Sequence, residues 1–570
     1  MKLQLPRGSI GAAWSLALFV FLLNLNALGA FFVGDDFDFL RLLGRADSLA
    51  DAAKLQFWGE WEPVWYVSWY ADMQIWGFNA FGFHLTNVLW LAAGVIALFA
   101  LLRLVWPESP RAAWAAALLF AVHPLHDEAV TYLAARGHVI CLTLMLLSLC
   151  AYARARRESM DVRQRSGWIA LALVLAFFAA LAKETAVILP VWIGAMEWWV
   201  LRPERPRRRA LALGIGAGAL FLLPAAASMG LRRMVVGLDS GKLRGLAGNW
   251  PELFDDLGNY LGIYGLLGAL PVPFGFLDYP VVQRFAWLGW LLLAVGVLGG
   301  VYGFVVAARR PRSSPEWGLV AFGLVIASSS LGPVFWADLS LRRRYLFVPT
   351  LGIVLIACVV LNRIELRSKR AATALLVLMV LLGGVGTIQR NELYRGAGHV
   401  ARDLIETVRG APIGEPPARG DAEPPKIALI NRPARYGGDF LSGAYILHHT
   451  DMKSALKLFD VSQRKINYAM RCEHADDLEA EILSSNGPSM VLRLSYRGER
   501  AFREALQNDP ANKPRGRLVR AKRLDVDFEA RTLTYAVRVD PRFAAAADAE
   551  LYLYSDTGLR RVPLGVGGSE

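Results

Sequence analysis

Apolar runs close to the length of a membrane span recur along most of this sequence, and that repetition restricts the fold more than any single motif. A helix rising about 1.5 Å per residue needs roughly 20 apolar residues to cross a hydrocarbon layer about 30 Å thick. The runs cover residues 10–33, 84–105, 112–122, 138–153, 168–182, 185–200, 210–229, 285–307, 317–336, 345–361 and 371–388. They predict an α-helical multi-pass membrane protein with about eleven transmembrane helices. Only 19 % of the 570 residues are charged, against about 25 % in soluble domains. The first run follows a short basic tail with Lys2 and Arg7, and the many later runs make it an uncleaved anchor.

A net charge of +13 could suggest nucleic acid. The basic residues instead gather in short connections, and no recognition motif accompanies them, so nucleic acid is excluded as a partner. Arg154, Arg156, Arg157, Arg163 and Arg165 fill one connection; Arg202, Arg205, Arg207, Arg208 and Arg209 fill another. Arg309, Arg310 and Arg312 mark a third, and Arg363, Arg367, Lys369 and Arg370 a fourth. All fall on the side of the N-terminus, which the positive-inside rule makes cytoplasmic. Loops 34–83, 123–137 and 230–284 are then external. This places a bacterial chain in the inner membrane, with residues 1–395 as its membrane domain and 396–425 as a linker. Residues 426–570 follow as a small periplasmic α/β domain with short alternating runs, among them a hairpin in RLDVDFEARTLTYAVRV. Of the four cysteines only Cys472 lies in this last part, so no disulfide forms within it.

Loop 34–83 is acidic and aromatic, with Trp58, Trp61, Trp65, Tyr66, Trp69, Tyr70 and Trp76. Such residues read as an interfacial belt, with a few faces available to stack on a sugar ring. The stretch 251–283, broken by Gly and Pro, reads as a re-entrant or interfacial helix. Gly214, Gly216 and Gly218 suit close helix packing better than a phosphate cradle.

Polar groups at membrane level are costly and therefore functional candidates. Four groups stand at external helix ends. Asp35 and Asp36, directly after the first run, can act as a base, hold a divalent cation, or simply cap a helix. His123, His126 and Glu128, with Arg136 and His138 behind them, can line a substrate or metal pocket, Arg136 being suited to a phosphate. Lys183 and Glu184 form either a self-neutralising pair or a cationic contact for a lipid phosphate. Arg342, Arg343, Arg344 and Tyr345 place positive charge on the external side, where an anionic headgroup would be met.

Several stretches occur in an order that resembles a known family: FGFHLTNV (81–88), HPLHDEAVTYLAARGHV (123–139), LAKETAVILP (181–190), Tyr260-Leu261 with Pro271 and Tyr279, RRYLFVPTLG (343–352) and TIQRNELYR (387–395). Over roughly residues 15–400 the chain resembles bacterial relatives of the transmembrane and tetratricopeptide-repeat O-mannosyltransferases. These are polyprenyl-phosphate-dependent glycosyltransferases of the C fold. The resemblance implies a polyprenyl-phosphate-linked sugar as donor and an acidic motif in the first external loop as catalytic base. Asp35 and Asp36 match that motif, with Asp35 as the base and Asp36 positioning the acceptor or a metal. Two departures stand out. Trp61-Glu62-Pro63 carries Glu where the family often has Arg, and no period near 34 residues follows position 400.

On this reading Asp35 deprotonates an acceptor hydroxyl, and Arg136, Lys183, Arg343, Arg344 and Tyr345 meet the leaving phosphate. A Mg or Mn ion on Asp35, Asp36 and His126 is an open addition. The acceptor, a protein, glycolipid or polysaccharide, and the sugar are both open. The rival reading is a transporter or scaffold for lipid-linked saccharides. Against it, no inverted repeat is visible and the polar groups sit at one face instead of the midplane.

Overall fold

The computed structural model describes chiefly residues 7–237 apart from Trp58, Glu158 and 202–205, residues 315–330 and 343–410, and ten strands with nearby residues beyond 426. The expected run 285–307, the stretch 251–283, and Tyr260, Leu261, Pro271, Tyr279 and Arg342 lie outside the described residues. In chain order the helices are α1 (Arg7–Leu23), α2 (Asp36–Leu43), α3 (Leu49–Ala52), α4 (Pro63–Trp76), α5 (Ala80–Val105), α6 (Pro110–Ala121) and α7 (Asp127–Val130). They continue as α8 (Arg136–Ala155), α9 (Val162–Ala182), α10 (Leu189–Ala195), α11 (Arg207–Val236), α12 (Pro315–Ser329), α13 (Phe347–Arg367) and α14 (Lys369–Gly410). The chain forms two compact units: Met1–Leu28 with Ala46–Asn391, and Gly29–Arg45 with Glu392–Glu570.

The first unit is a bundle of apolar helices. Among the described residues, six helices are long and apolar enough to cross a membrane: Ala80–Val105, Leu133–Ala155, Val162–Ala182, Arg208–Val236, Arg343–Arg367 and Lys369–Glu406. Shorter apolar helices cover Ile10–Leu23 and Glu316–Ser329.

Two expected runs differ in the structure. The first helix stops at Leu23, short of residue 33, because Asn24 and Asn26 take polar partners. Asn24 Nδ2 donates to the Val20 carbonyl at 2.9 Å, and Asn26 Nδ2 to the Ile388 carbonyl at 2.9 Å. The run 185–200 is broken into a 3-10 turn (Glu184–Ile188), α10 and a π-helical turn (Met196–Val200). Pro190 removes a backbone donor there. At the far end, buried Glu197 is drawn to Arg156, with contacts of 2.9 and 2.6 Å, and to the Tyr152 hydroxyl at 3.1 Å.

Glycine sets the close approaches. A Cβ on Gly214 would lie 2.8 Å from the Gly194 carbonyl oxygen and one on Gly218 3.1 Å from that of Pro190, while Gly216 faces open space. So two of those three glycines pack helices as expected. A close crossing joins α12 to α13, where a Cβ on Gly352 would stand 2.2 Å from the Gly323 carbonyl oxygen and 2.6 Å from the Ala327 nitrogen. Helix propensity alone favours Ala over Gly by about 1 kcal/mol, but overpacking costs about 1–3 kcal/mol. Gly352→Ala should therefore lower the unfolding temperature of the detergent-solubilised protein; an unchanged or raised value would refute the contact.

In the second unit, α14 continues without a break to Gly410, so residues 396–410 are helix and not the expected linker. Buried Ala397, Ala401, Leu404 and Ile405 give the reason: their spacing makes one apolar helical stripe. Strands β1 (Lys426–Pro433), β2 (Arg435–Tyr436), β3 (Ala444–Tyr445), β4 (Lys465–Cys472), β5 (Leu478–Asn486), β6 (Ser489–Tyr496), β7 (Val519–Asp527), β8 (Thr532–Val539), β9 (Glu550–Ser555) and β10 (Gly558–Val562) follow. One mixed sheet has the order β10-β9-β1-β4, with β1 parallel to both neighbours, and an antiparallel sheet has the order β5-β6-β8-β7. The expected hairpin is β7–β8. Its turn is tied by Asp527 Oδ1, which accepts from the Glu529 and Ala530 amides at 2.9 Å each. Alternating burial on β6 and β8 places Leu492, Leu494, Leu533, Tyr535 and Val537 in a core shared with Leu551 and Leu553.

Candidate functional site

The acidic pair belongs to the second unit. Gly34 has a φ of 53°, a left-handed conformation that favours glycine, and its amide donates to the Ile446 carbonyl at 2.8 Å. The chain then enters α2, with Asp35 at its N-cap and Asp36 as its first residue. The two carboxylates differ. Asp36 is 1 % exposed, and its Oδ2 accepts from the Val33 amide at 2.9 Å. Asp35 is half-buried. Asp36 is thus committed to the local turn, and Asp35 is the better placed of the two for chemistry. Phe31, Phe32 and Phe37 cluster behind them, and the Arg402 guanidinium lies 4.7 Å above the Phe31 ring.

In the first unit the strongest polar feature surrounds Lys183, at the C-cap of α9. Its ammonium contacts Glu62, Glu184 Oε1 at 3.5 Å and Glu60 Oε2 at 3.6 Å. Glu184 Oε2 also accepts from Arg232 Nη1 of α11 at 3.1 Å. Burial opposes the ammonium, yet the surrounding glutamates hold the Lys183 pKa well above the usual lysine value. Burial raises Glu62 to about 8, against the pull of Lys183 and with help from Glu60 and Glu184. Burial also opposes Glu184, but Lys183 and Arg232 hold it below the usual carboxylate range. The α8 start closes over this group without room for a side chain: a Cβ on Gly137 would lie 3.0 Å from the Ala182 carbonyl and 3.3 Å from Glu62 Oε2.

Arg136, expected to grip a phosphate, is instead enclosed at 0 % exposure. Its Nη1 pairs with Asp72 Oδ2 at 2.6 Å and donates to Ser68 Oγ at 3.1 Å, its Nη2 donates to the Phe83 carbonyl at 2.8 Å, and its Nε to Asn87. Trp69 and Phe83 rings flank it at 5.6 and 5.7 Å. Most aromatic residues of α4, and Trp61 just before it, are drawn into the interior. Trp61, Trp65, Tyr66, Trp69 and Tyr70 are all buried, so they form an interior and not the exposed belt expected from sequence. Trp76, 37 % exposed, keeps the expected character.

The histidine-rich turn packs on α13. His126 Nε2 bonds Thr350 Oγ1 at 2.8 Å, and its ring lies 4.5 Å from Phe120, 4.7 Å from Phe347 and 5.2 Å from His123. Burial, followed by the neighbouring His123, holds its pKa well below the usual histidine value. His123 Nδ1 accepts from the Leu125 amide at 3.3 Å. Both histidines therefore build the turn. Among the described residues no three His, Cys, Asp or Glu side chains are grouped to hold a metal ion. His126 spends its Nε2 on Thr350 Oγ1.

Arg343 is likewise internal, forming two contacts with Asp127 at 3.2 and 3.0 Å. Arg344 is one-fifth exposed. It pairs with Glu128 Oε1 at 2.8 Å, its amide donates to Glu128 Oε2 at 3.3 Å, and its guanidinium lies 5.4 Å from the Tyr345 ring. Tyr345 meets the His138 ring edge-on at 5.8 Å, and Lys183, Glu184 and Arg344 all lie within electrostatic reach of that ring. One rim therefore carries Lys183, Glu184, His138, Arg344 and Tyr345, with Glu60 and Arg232 beside it. Sequence reading missed Asp72, Glu60 and Arg232, and noticed Glu62 only as a departure. The available signal was complementary charge at neighbouring helix ends.

No protein-family model matches the chain. It is 33 % identical over 180 residues to the protein O-mannosyl-transferase Tmtc1 of Drosophila melanogaster, covering 29 % of this chain and 20 % of that one. Against human TMTC4 it is 36 % identical over 126 residues, covering 20 % and 17 %. Part of the chain is thus similar in sequence to protein O-mannosyl-transferases. With F38B6.6 of Caenorhabditis elegans, another of these proteins, it shares 22 % identity over 391 residues, covering 63 % of this chain and 52 % of that one. The chain thus spans about a fifth of the length of Tmtc1 and about half that of F38B6.6. Solved structures with a similar course include the oligosaccharyltransferase of Archaeoglobus fulgidus, tethered with an acceptor peptide. Its TM-score is 0.42 at 14 % identity, covering 82 % of this chain and 64 % of that one. ArnT from Cupriavidus metallidurans bound to undecaprenyl phosphate has a TM-score of 0.41 at 14 % identity, covering 75 % and 83 %.

Proposed function

We propose that this protein is an integral-membrane glycosyltransferase of the C fold. It moves a sugar from a polyprenyl-phosphate donor to a protein, glycolipid or polysaccharide acceptor. The reaction takes place at the outer face of the bacterial inner membrane, with the N-terminus cytoplasmic and the C-terminal domain periplasmic. Similarity to the O-mannosyl-transferases supports the reaction class. The observation that carries the residue assignment is the division of labour between the acids: Asp36 holds the turn, while half-buried Asp35 is presented from the α2 N-cap.

Asp35 takes the acceptor hydroxyl proton as the oxygen attacks the anomeric carbon, and the bond to the phosphate oxygen breaks. The leaving phosphate carries its own negative charge and needs cationic contacts more than a proton. Lys183 and Arg344 supply them from the rim, with Tyr345 and His138 shaping its wall. Arg136 and Arg343 act behind this rim as positioning residues, each held by a buried aspartate.

The test is transfer by the purified full chain in detergent from a panel of radiolabelled polyprenyl-phosphate sugars to membrane acceptors. Transfer from one donor identifies the sugar. A folded protein that transfers none of them, yet flips labelled lipid-linked saccharide in proteoliposomes, would establish the transporter reading instead.

A further inference from the structure

The Lys183 ammonium has three N–H donors and three carboxylates around it, from Glu60, Glu62 and Glu184. A phosphate approaching Lys183 must therefore displace an anion already there. The three carboxylates are not equivalent. The Glu184 side chain is 25 % exposed and keeps Arg232 as a second cation. The Glu60 side chain is 28 % exposed and remains open to water. The Glu62 side chain is 2 % exposed, packed behind Gly137, with the Lys183 ammonium in contact and Arg232 within electrostatic reach. If Lys183 turns to a phosphate, Glu62 loses its contacting cation while almost fully buried, and an uncompensated buried carboxylate is costly.

We propose that Glu62 is a positioning residue whose carboxylate occupies, at Lys183, the place taken by the donor's phosphate, and that exchange of one anion for the other is completed by a proton passing from solvent to Glu62. The inference rests on Lys183 as the donor-phosphate contact. The groups that face Glu62 leave it to take this proton: Glu60 on its own loop, Lys183 and Glu184 after α9, Arg232 on α11, Tyr66 on α4 and Cys141 on α8. Of these, the two cations face carboxylates and the tyrosine stays neutral.

The sign of the pH dependence follows. Glu62 ionises at about 8 in the unliganded protein, so below that pH it is neutral and Lys183 is available, and above it the carboxylate competes. Binding of polyprenyl phosphate to the full chain in neutral-lipid nanodiscs, measured from pH 7.5 to 9.5, should weaken about fivefold from pH 8 to 9 and approach tenfold per unit beyond. In this range the phosphate's own second ionisation, near 6, is complete. Glu62→Gln should match wild type at pH 7.5, bind several-fold more tightly at pH 9, and show no such slope, whereas Glu62→Asp should keep the slope. Glu62→Gln with the wild-type slope, or weaker binding throughout, overturns the proposal while Lys183→Met still loses binding. Unchanged binding in Lys183→Met would remove the phosphate from Lys183 and overturn both readings.

Discussion

Asp35→Asn should lower the sugar-transfer rate by roughly 10²–10⁴-fold, the usual contribution of a positioned general base, with little change in expression or unfolding temperature. Asn keeps the size of the side chain and its place at the α2 N-cap, where Asn is as acceptable as Asp. The loss should fall on the turnover number more than on the donor KM, because the base acts on the acceptor proton in the transition state. Asp36 supplies the contrast. Its Oδ2 accepts the buried Val33 amide, and Asp36→Ala would leave that donor unpaired at a cost of about 1–3 kcal/mol. Asp36→Ala should thus lose stability, whereas Asp35→Asn should lose rate. A fully active Asp35→Asn enzyme would move the base elsewhere.

Arg136→Met should destabilise the protein by about 3–5 kcal/mol, the cost of leaving one member of a buried ion pair without the other. Arg136 is 0 % exposed and the Asp72 side chain 5 % exposed, 2.6 Å away. Arg136 also ties α8 to α4 and α5 through Ser68, Asn87 and the Phe83 carbonyl. Removing the partner as well changes the outcome, since replacing a whole buried pair by apolar side chains is often neutral. Arg136→Met with Asp72→Leu should therefore recover much of the unfolding temperature lost in the single variant. Were Arg136 a phosphate ligand instead, the single variant would weaken polyprenyl-phosphate binding at unchanged stability, and Asp72→Leu would not restore it. Those two patterns are mutually exclusive in one thermal-unfolding and binding series.

The sequence by itself determined the membrane character, the helical nature of the runs from α5 through α14 that the structure describes, and the polar motifs worth examining. It also determined the β7–β8 hairpin. These features are local: a run of apolar residues meets the bilayer whatever its neighbours are, and a turn between alternating strands depends on a few adjacent residues. The tertiary structure decided how each charge is used. Arg136 and Arg344 look alike in sequence, two arginines near apolar runs, yet one is fully enclosed beside Asp72 and the other reaches the rim beside Glu128. Lys183 could be read beside Glu184 as a simple local pair, but its contact with Glu62 joins residues 121 positions apart. Trp65 and Trp69 of α4 likewise read as part of an interfacial belt until α5 and α8 covered them. A charge in a low-dielectric interior takes its meaning from the partner that neutralises it, and that partner is chosen by helix packing, which no single stretch of sequence contains.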